Sequence, residues 1–295
     1  MKIEMNERRG EFLVGLALAL RGTSLLFGKI AMRTMGPFLL MGTRSLIAFA
    51  LMAILFRKSL KKIDRSAIIH SMLVGLLLFL AMAFELKGLQ TTDSSVTAFL
   101  EGSVVIFVPF FTCIIARKLP DKMTVISSLI ALAGVGFLTL KGGHFGFTTG
   151  ELLVIGGTIW YSLSVLVTDT AAKNDDPMAI AILQLFWMAF FSVIGAFIFE
   201  DIRLPQSGTE WAAILALAIV CSCIGFTLQP FGQKYTTPER AGLMAVFNPL
   251  SAAALGIIFL GERMTWSILF GSVLIIIAIV LPAWIQDRKS RQQQS

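Results

Sequence analysis

The sequence predicts an all-α integral membrane protein whose ten transmembrane helices form two inverted five-helix repeats. Three observations carry that expectation. First, the 295-residue chain is 56% hydrophobic and only 15% charged, with a mean hydropathy of +0.81, too few polar groups to cover a water-facing surface. Second, ten apolar stretches each approach the ~20 residues that a helix needs to cross ~30 Å of hydrocarbon. Third, the chain begins again at its middle. Gly10-Glu11-x-Leu13-Val14 recurs as Gly150-Glu151-x-Leu153-Val154, and Pro37 recurs as Pro177, all at a separation of 140 residues. Gly88, Thr92 and the run Thr97-Ala98-Phe99-Leu100 find Gly232, Thr236 and Ala241-Gly242-Leu243-Met244 at a separation of 144.

Taken in order, the stretches fall at about 12–31, 37–56, 67–87, 94–116, 122–140, 150–171, 177–199, 211–231, 239–260 and 264–285. The first carries Arg21 and lacks a small-residue cleavage site, so it is expected to be a retained helix and not a signal peptide. The second opens on Pro37 and holds Arg44. The third ends in Glu85 and Lys87, the fourth holds Glu101 and Pro109, and the fifth follows the basic loop Arg117-Lys118. The second set repeats the plan with Trp160 and Tyr161, then Gln184, then Gln229, then Asn248 and Pro249, and closes on a tenth stretch that contains Pro282 and Trp284. The repeats divide the chain at 1–141 and 142–295, and the polar tail from Gln286 to Ser295 is expected to be disordered.

Orientation follows from the basic residues. With the N-terminus inside, seventeen Lys and Arg lie in the inner segments, six lie in the outer connections and helix ends, and Arg21 and Arg44 are within spans. Both termini are therefore expected to be cytoplasmic, in a multi-pass protein of the cell membrane. Five spans is an odd number, so the second copy enters the bilayer from the opposite side. Inverted repeats can exchange conformations around a shared interface and expose it alternately to each side. A secondary transporter of a small-molecule substrate is the leading expectation, with the lipid bilayer as its other partner. The alternative is a non-transporting membrane receptor or a lipid-translocating scaffold.

Other classes are excluded. The net charge of +7 sits in short loops and reads as topology, so no nucleic-acid partner is expected. Cys113, Cys221 and Cys223 lie in apolar runs without metal-type spacing, and neither His70 nor His144 has a carboxylate or cysteine at ligand spacing. No metal, cofactor or enzymatic activity is expected, and no phosphate-binding loop for ATP appears. Small residues four apart, Ala98 with Gly102, Ala241 with Ala245, Ala252 with Gly256 and Ser267 with Gly271, let helix backbones approach closely. They serve packing within the chain or a homodimer contact. Pro109 and Pro249 occupy corresponding spans and are candidate hinges or static kinks.

The run Gly22-Thr23-Ser24-Leu25-Leu26-Phe27-Gly28-Lys29, the Pro37 to Arg44 opening, Ala241 to Pro249 and Leu260-Gly261-Glu262-Arg263-Met264-Thr265 resemble the EamA family of the drug/metabolite transporter superfamily. The resemblance covers nearly the whole chain. It implies a ten-helix inverted repeat and metabolite transport, with export of amino acids or related compounds common among members. Two positions depart from the pattern: Arg117-Lys118 stands in the first copy where the second has Gly261-Glu262, and Arg21 stands where many members carry tryptophan.

Polar side chains inside spans mark a pathway or a pair, because a charge in hydrocarbon is costly. Arg44 and Glu101 lie at similar depth and are expected to pair. Glu101 is alternatively a proton carrier, with Glu85 nearby. By the repeat separations Arg21 answers Tyr161, Arg44 answers Gln184 and Glu85 answers Gln229, so an asymmetric site is expected. Arg21, near the midplane, is the candidate anchor for a substrate carboxylate or phosphate, with Trp160 and Tyr161 from the other half beside it and Gln184, Gln229 and Asn248 as further binding residues. Its other reading is an assembly role, neutralised by Glu85 or Glu101.

Overall fold

The structure is a computed structural model that describes residues 6–89, 91–92, 94–139, 148–260 and 265–292. Among the described residues all regular elements are helical. The first half contains α1 (Glu7–Gly22), α2 (Ser24–Ala31), α3 (Pro37–Leu55), α4 (Arg65–Leu89), α5 (Ser94–Gly102), α6 (Val104–Ala116) and α7 (Lys122–Thr139). The second contains α8 (Thr149–Asn174), α9 (Pro177–Phe199), α10 (Gly208–Ala216), α11 (Phe226–Gln233), α12 (Pro238–Leu243), α13 (Phe247–Leu260) and α14 (Trp266–Gln292). A π-helical turn, Leu217–Gly225, joins α10 to α11, and a 3-10 turn, Met244–Val246, joins α12 to α13. Six of the described helical columns are long and apolar enough to cross a membrane, and Lys122–Phe137 and Trp266–Leu281 are shorter apolar helices. Lys141, His144, Gly261 to Met264 and the expected boundary at 141/142 lie outside the described residues, as do the side chains of Lys29, Ala252, Pro282 and Trp284.

Besides the eighth and ninth expected spans, which the π and 3-10 turns interrupt, two more are broken, and there side-chain chemistry says why. The first breaks at Thr23, whose hydroxyl donates to the Leu20 carbonyl at 2.7 Å. The fourth breaks at Ser103, whose hydroxyl bonds the Leu100 carbonyl in the same way. A hydroxyl that takes a carbonyl of the preceding turn competes with the helix ladder and loosens it. The tail expected to be disordered instead continues α14 to Gln292. Gln, Arg and Lys are good helix formers, and the basic residues near a helix C-terminus oppose its dipole favourably.

The two copies pack end over end. α3 and α9, the same helix of the two halves, run antiparallel: Phe38 stands 6.0 Å from Phe199, and Phe49 stands 5.2 Å from Phe186. α7 and α14 do likewise, with Phe137 5.0 Å from Phe270 and Gly134 against Ile275. The remaining pairing is exchanged between halves, α1 lying on α11 as α8 lies on α4. The largest buried cluster accordingly mixes Val14, Val108 and Val135 with Val165, Ala245 and Ile275.

The repeated glycines explain how close these crossings are. A Cβ on Gly10 would meet the Gly232 carbonyl oxygen at 2.8 Å, and one on Gly88 would meet the Gly150 oxygen at 2.6 Å. These are the same contact made once in each copy. The obstacle is backbone on both sides, so neither crossing can relax by moving a side chain. Replacing Gly88 or Gly232 by valine is therefore expected to lower the melting temperature markedly. Gly208, which has open space where a Cβ would go, is the control and is expected to tolerate alanine. Thermal denaturation of the detergent-purified variants checks both.

Candidate functional site

Arg21 lies in the last turn of α1, two residues before the break at Thr23. Its Nη1 donates to the Tyr161 hydroxyl at 3.0 Å and to Gln229 Oε1 at 3.2 Å. The guanidinium carbon stands 4.4 Å from the Phe226 ring centre and 5.1 Å from that of Tyr161, within cation–π range of both. Among the described residues, Nε and Nη2 donate to no protein group. That leaves one edge of the fork, the edge that grips a carboxylate through two parallel bonds, unused by the protein.

The Arg21–Tyr161 bond has a geometric meaning. The two residues are repeat equivalents, 140 positions apart. When two copies are related by a two-fold rotation, a residue that touches its own equivalent lies at the axis. The pair therefore joins the two copies where they meet, midway along α8.

Around it the contacts come in equivalent sets. Arg44 Nη2 reaches Met82 Sδ at 3.4 Å, and its counterpart Gln184 donates through Nε2 to the carbonyl of Phe226, the counterpart of Met82, at 2.8 Å. Glu85 is the counterpart of Gln229. Where Gln229 bonds Arg21, Glu85 and Glu101 bring two acidic side chains near the same arginine. The expected Arg44–Glu101 pair does not form. Equal depth says nothing about azimuth: Glu101 lies in the last turn of α5, while Arg44 reaches Met82 on α4 and leaves its Nε without a partner.

The other candidates spread around this centre. Asn248 sits beside the α1 break, its carbonyl 2.7 Å from where a Cβ on Gly22 would stand. Trp160 packs edge-on against Phe84 of α4, centroids 6.5 Å apart. Gln184 ties α9 to α11 through its bond to Phe226 and is 2% exposed, so its amide is engaged in holding helices together. Pro249 occupies the first turn of α13, where a missing N–H costs little, and Pro109 lies inside α6. The irregular backbone precedes each proline, at Ser103 and at Met244–Val246.

Three features were not read from the sequence. Thr23 Oγ1 lies 3.2 Å from Cys221 Sγ, and that thiol also reaches the Leu20 carbonyl at 3.5 Å, so the π-turn packs onto the α1 break. Phe226 supplies the ring under Arg21. A signal for it existed: at the separation of 144 residues it answers Met82, and each of the two sits against an arginine. Both ends of the interface are also bridged. Arg240 binds Glu11 at 2.7 Å and Glu7 at 3.3 Å, and His70 meets Asp175 at 2.6 Å. At the opposite end Glu200 accepts from the Phe38 and Leu39 amides at 2.7 and 2.9 Å, and Glu210 accepts from Thr34 at 3.0 Å.

Two copies packed end over end, with charged and aromatic side chains gathered where they meet and apolar helices outside, define a helical membrane protein of the inverted-repeat class. The chain belongs to the EamA-like transporter family, which it matches over residues 8–140 and again over 148–283. An uncharacterized transporter of Archaeoglobus fulgidus is 25% identical across 91% of this chain and 84% of its own length. The YvbV transporter of Bacillus subtilis is 25% identical across 99% and 96%. The threonine/homoserine exporter RhtA of Salmonella typhimurium is 25% identical over a shorter region, 60% of this chain and 58% of its own. A solved crystal structure shares the fold with a TM-score of 0.81 at 19% identity, covering 95% of this chain and 98% of that one.

Proposed function

We propose that the protein is a secondary transporter that moves a small amphoteric or anionic metabolite across the cell membrane by alternating access. Ten spans in two units, 1–141 and 142–295, would carry it, with both termini in the cytoplasm. The observation that supports this reading best is the contact of Arg21 with its own equivalent Tyr161. It puts a cation at the two-fold centre of inverted copies, the place where exchange of the two copies' conformations exposes one site to both sides. The substrate's carboxylate would take the free edge of Arg21, with Tyr161 and Gln229 holding the guanidinium and Trp160 and Asn248 bordering the site. Glu85 and Glu101 would carry the coupling proton. The bridges at the two ends would open in turn, with the turns at Ser103 and Met244–Val246, before Pro109 and Pro249, as flexing points.

The relation to a threonine/homoserine exporter makes amino acids the first substrates to try. Purified protein in sealed liposomes preloaded with unlabelled threonine or homoserine is expected to take up the labelled compound faster than empty-loaded liposomes, and to saturate. Uptake that is neither saturable nor stimulated by internal substrate, across amino acids and organic acids alike, would favour the receptor or scaffold.

A further inference from the structure

Outside the central site, the largest departure between the two copies is Arg117-Lys118, and it falls at the mouth of a groove. The groove has a volume of about 480 Å³ and lies between α6 and α7. Its floor includes the buried Pro109 and Ser128, and its walls are the exposed Phe110, Ile114 and Leu129. From Ile106 to Arg117 the groove follows α6 for about 16 Å, the depth of one leaflet of a ~30 Å hydrocarbon core. Arg117 and Lys118 line its end.

The backbone at Arg117 points the same way. Arg117 closes α6 in the left-handed region, at φ 52, and is the sole described non-glycine residue with positive φ. Glycine takes that conformation without a Cβ clash and is the usual residue just past a helix end. The second copy has Gly261 there, followed by Glu262. The first copy thus keeps an arginine where the backbone favours glycine, and a cation where its counterpart has an acid. The nearby carboxylate of Asp121 accepts the Met123 amide at 3.0 Å and is engaged in starting α7.

We infer that this groove binds one anionic glycerophospholipid, an acyl chain lying along α6 and α7 and the phosphate meeting Arg117 and Lys118. An acyl chain matches a leaflet-deep apolar slot, and basic residues at the headgroup level select an anionic lipid. The excess of basic residues puts this loop on the cytoplasmic side, whose leaflet carries anionic lipid. The site is separate from the Arg21 centre, so its test does not depend on the transported substrate.

The experiment is native mass spectrometry of the full chain in detergent, titrated with phosphatidylglycerol or phosphatidylcholine of identical chains. Two cations at the headgroup level predict a preference of about 30-fold for phosphatidylglycerol. The double variant R117G/K118Q is expected to lose that preference while melting no lower than the parent, since glycine suits the helix end. C113F, which fills the slot, is expected to weaken both lipids together. Equal binding of the two lipids by the parent, survival of the preference in R117G/K118Q, or unchanged lipid binding by C113F overturns the inference.

Discussion

Replacing Arg21 by glutamine is expected to abolish measurable binding of carboxylate substrates while leaving a folded protein. The expected loss is that of one partner of a buried charged pair, about 2–5 kcal/mol, or roughly 30-fold to several thousand-fold in Kd. Folding is expected to survive because the groups that Arg21 bonds, the Tyr161 hydroxyl and the Gln229 amide, are neutral. Arg21→Lys separates charge from geometry. Lysine keeps a positive centre but has no planar fork, so it is expected to bind anionic substrates more weakly than the parent and more strongly than glutamine. Substrate-induced shifts in melting temperature read both variants, because a ligand that binds the folded state raises its apparent stability. If both variants bind as the parent does, Arg21 serves assembly and the anchor belongs among Gln184, Gln229 and Asn248.

Glu101→Gln is expected to uncouple transport from the proton gradient. Glutamine matches glutamate in size, so the packing of α5 on α4 is kept, but its amide cannot take up or release a proton. In liposomes, exchange of internal for external substrate is expected to persist, and accumulation driven by a pH difference is expected to disappear. Glu85→Gln is expected to behave alike. A parallel fall of exchange and driven flux would make the two acids structural. The Arg44–Glu101 alternative is separately testable, since without that contact Arg44→Gln and Glu101→Gln should have additive effects on melting.

Much of the polar centre was legible before any coordinates because the repeat supplies its own register. Arg21 and Tyr161, Arg44 and Gln184, and Glu85 and Gln229 are equivalents by separation alone, and the structure brings all but the last two into equivalent contacts. What the register could not give is which way a side chain turns. Depth in a bilayer is counted along a helix, and that count is what set Arg44 and Glu101 level. Azimuth depends on which neighbours the helix packs against, and Arg44 on α3 finds Met82 of α4. Helix integrity was similarly invisible. The apolar composition of the first stretch requires burial in lipid or protein but does not require one unbroken helix, and at the break Thr23 bonds the Leu20 carbonyl and meets Cys221, some two hundred residues away in sequence.

The sequence by itself determined the membrane class and the duplication, because hydropathy and repeated spacings are read along the chain and need no folding. Tertiary structure alone decided that Arg21 touches its own equivalent, that Arg44 reaches Met82, and that Arg117 holds a left-handed turn at the mouth of a groove. Each of those depends on how two helices face one another, and that is set by close packing between segments far apart in sequence.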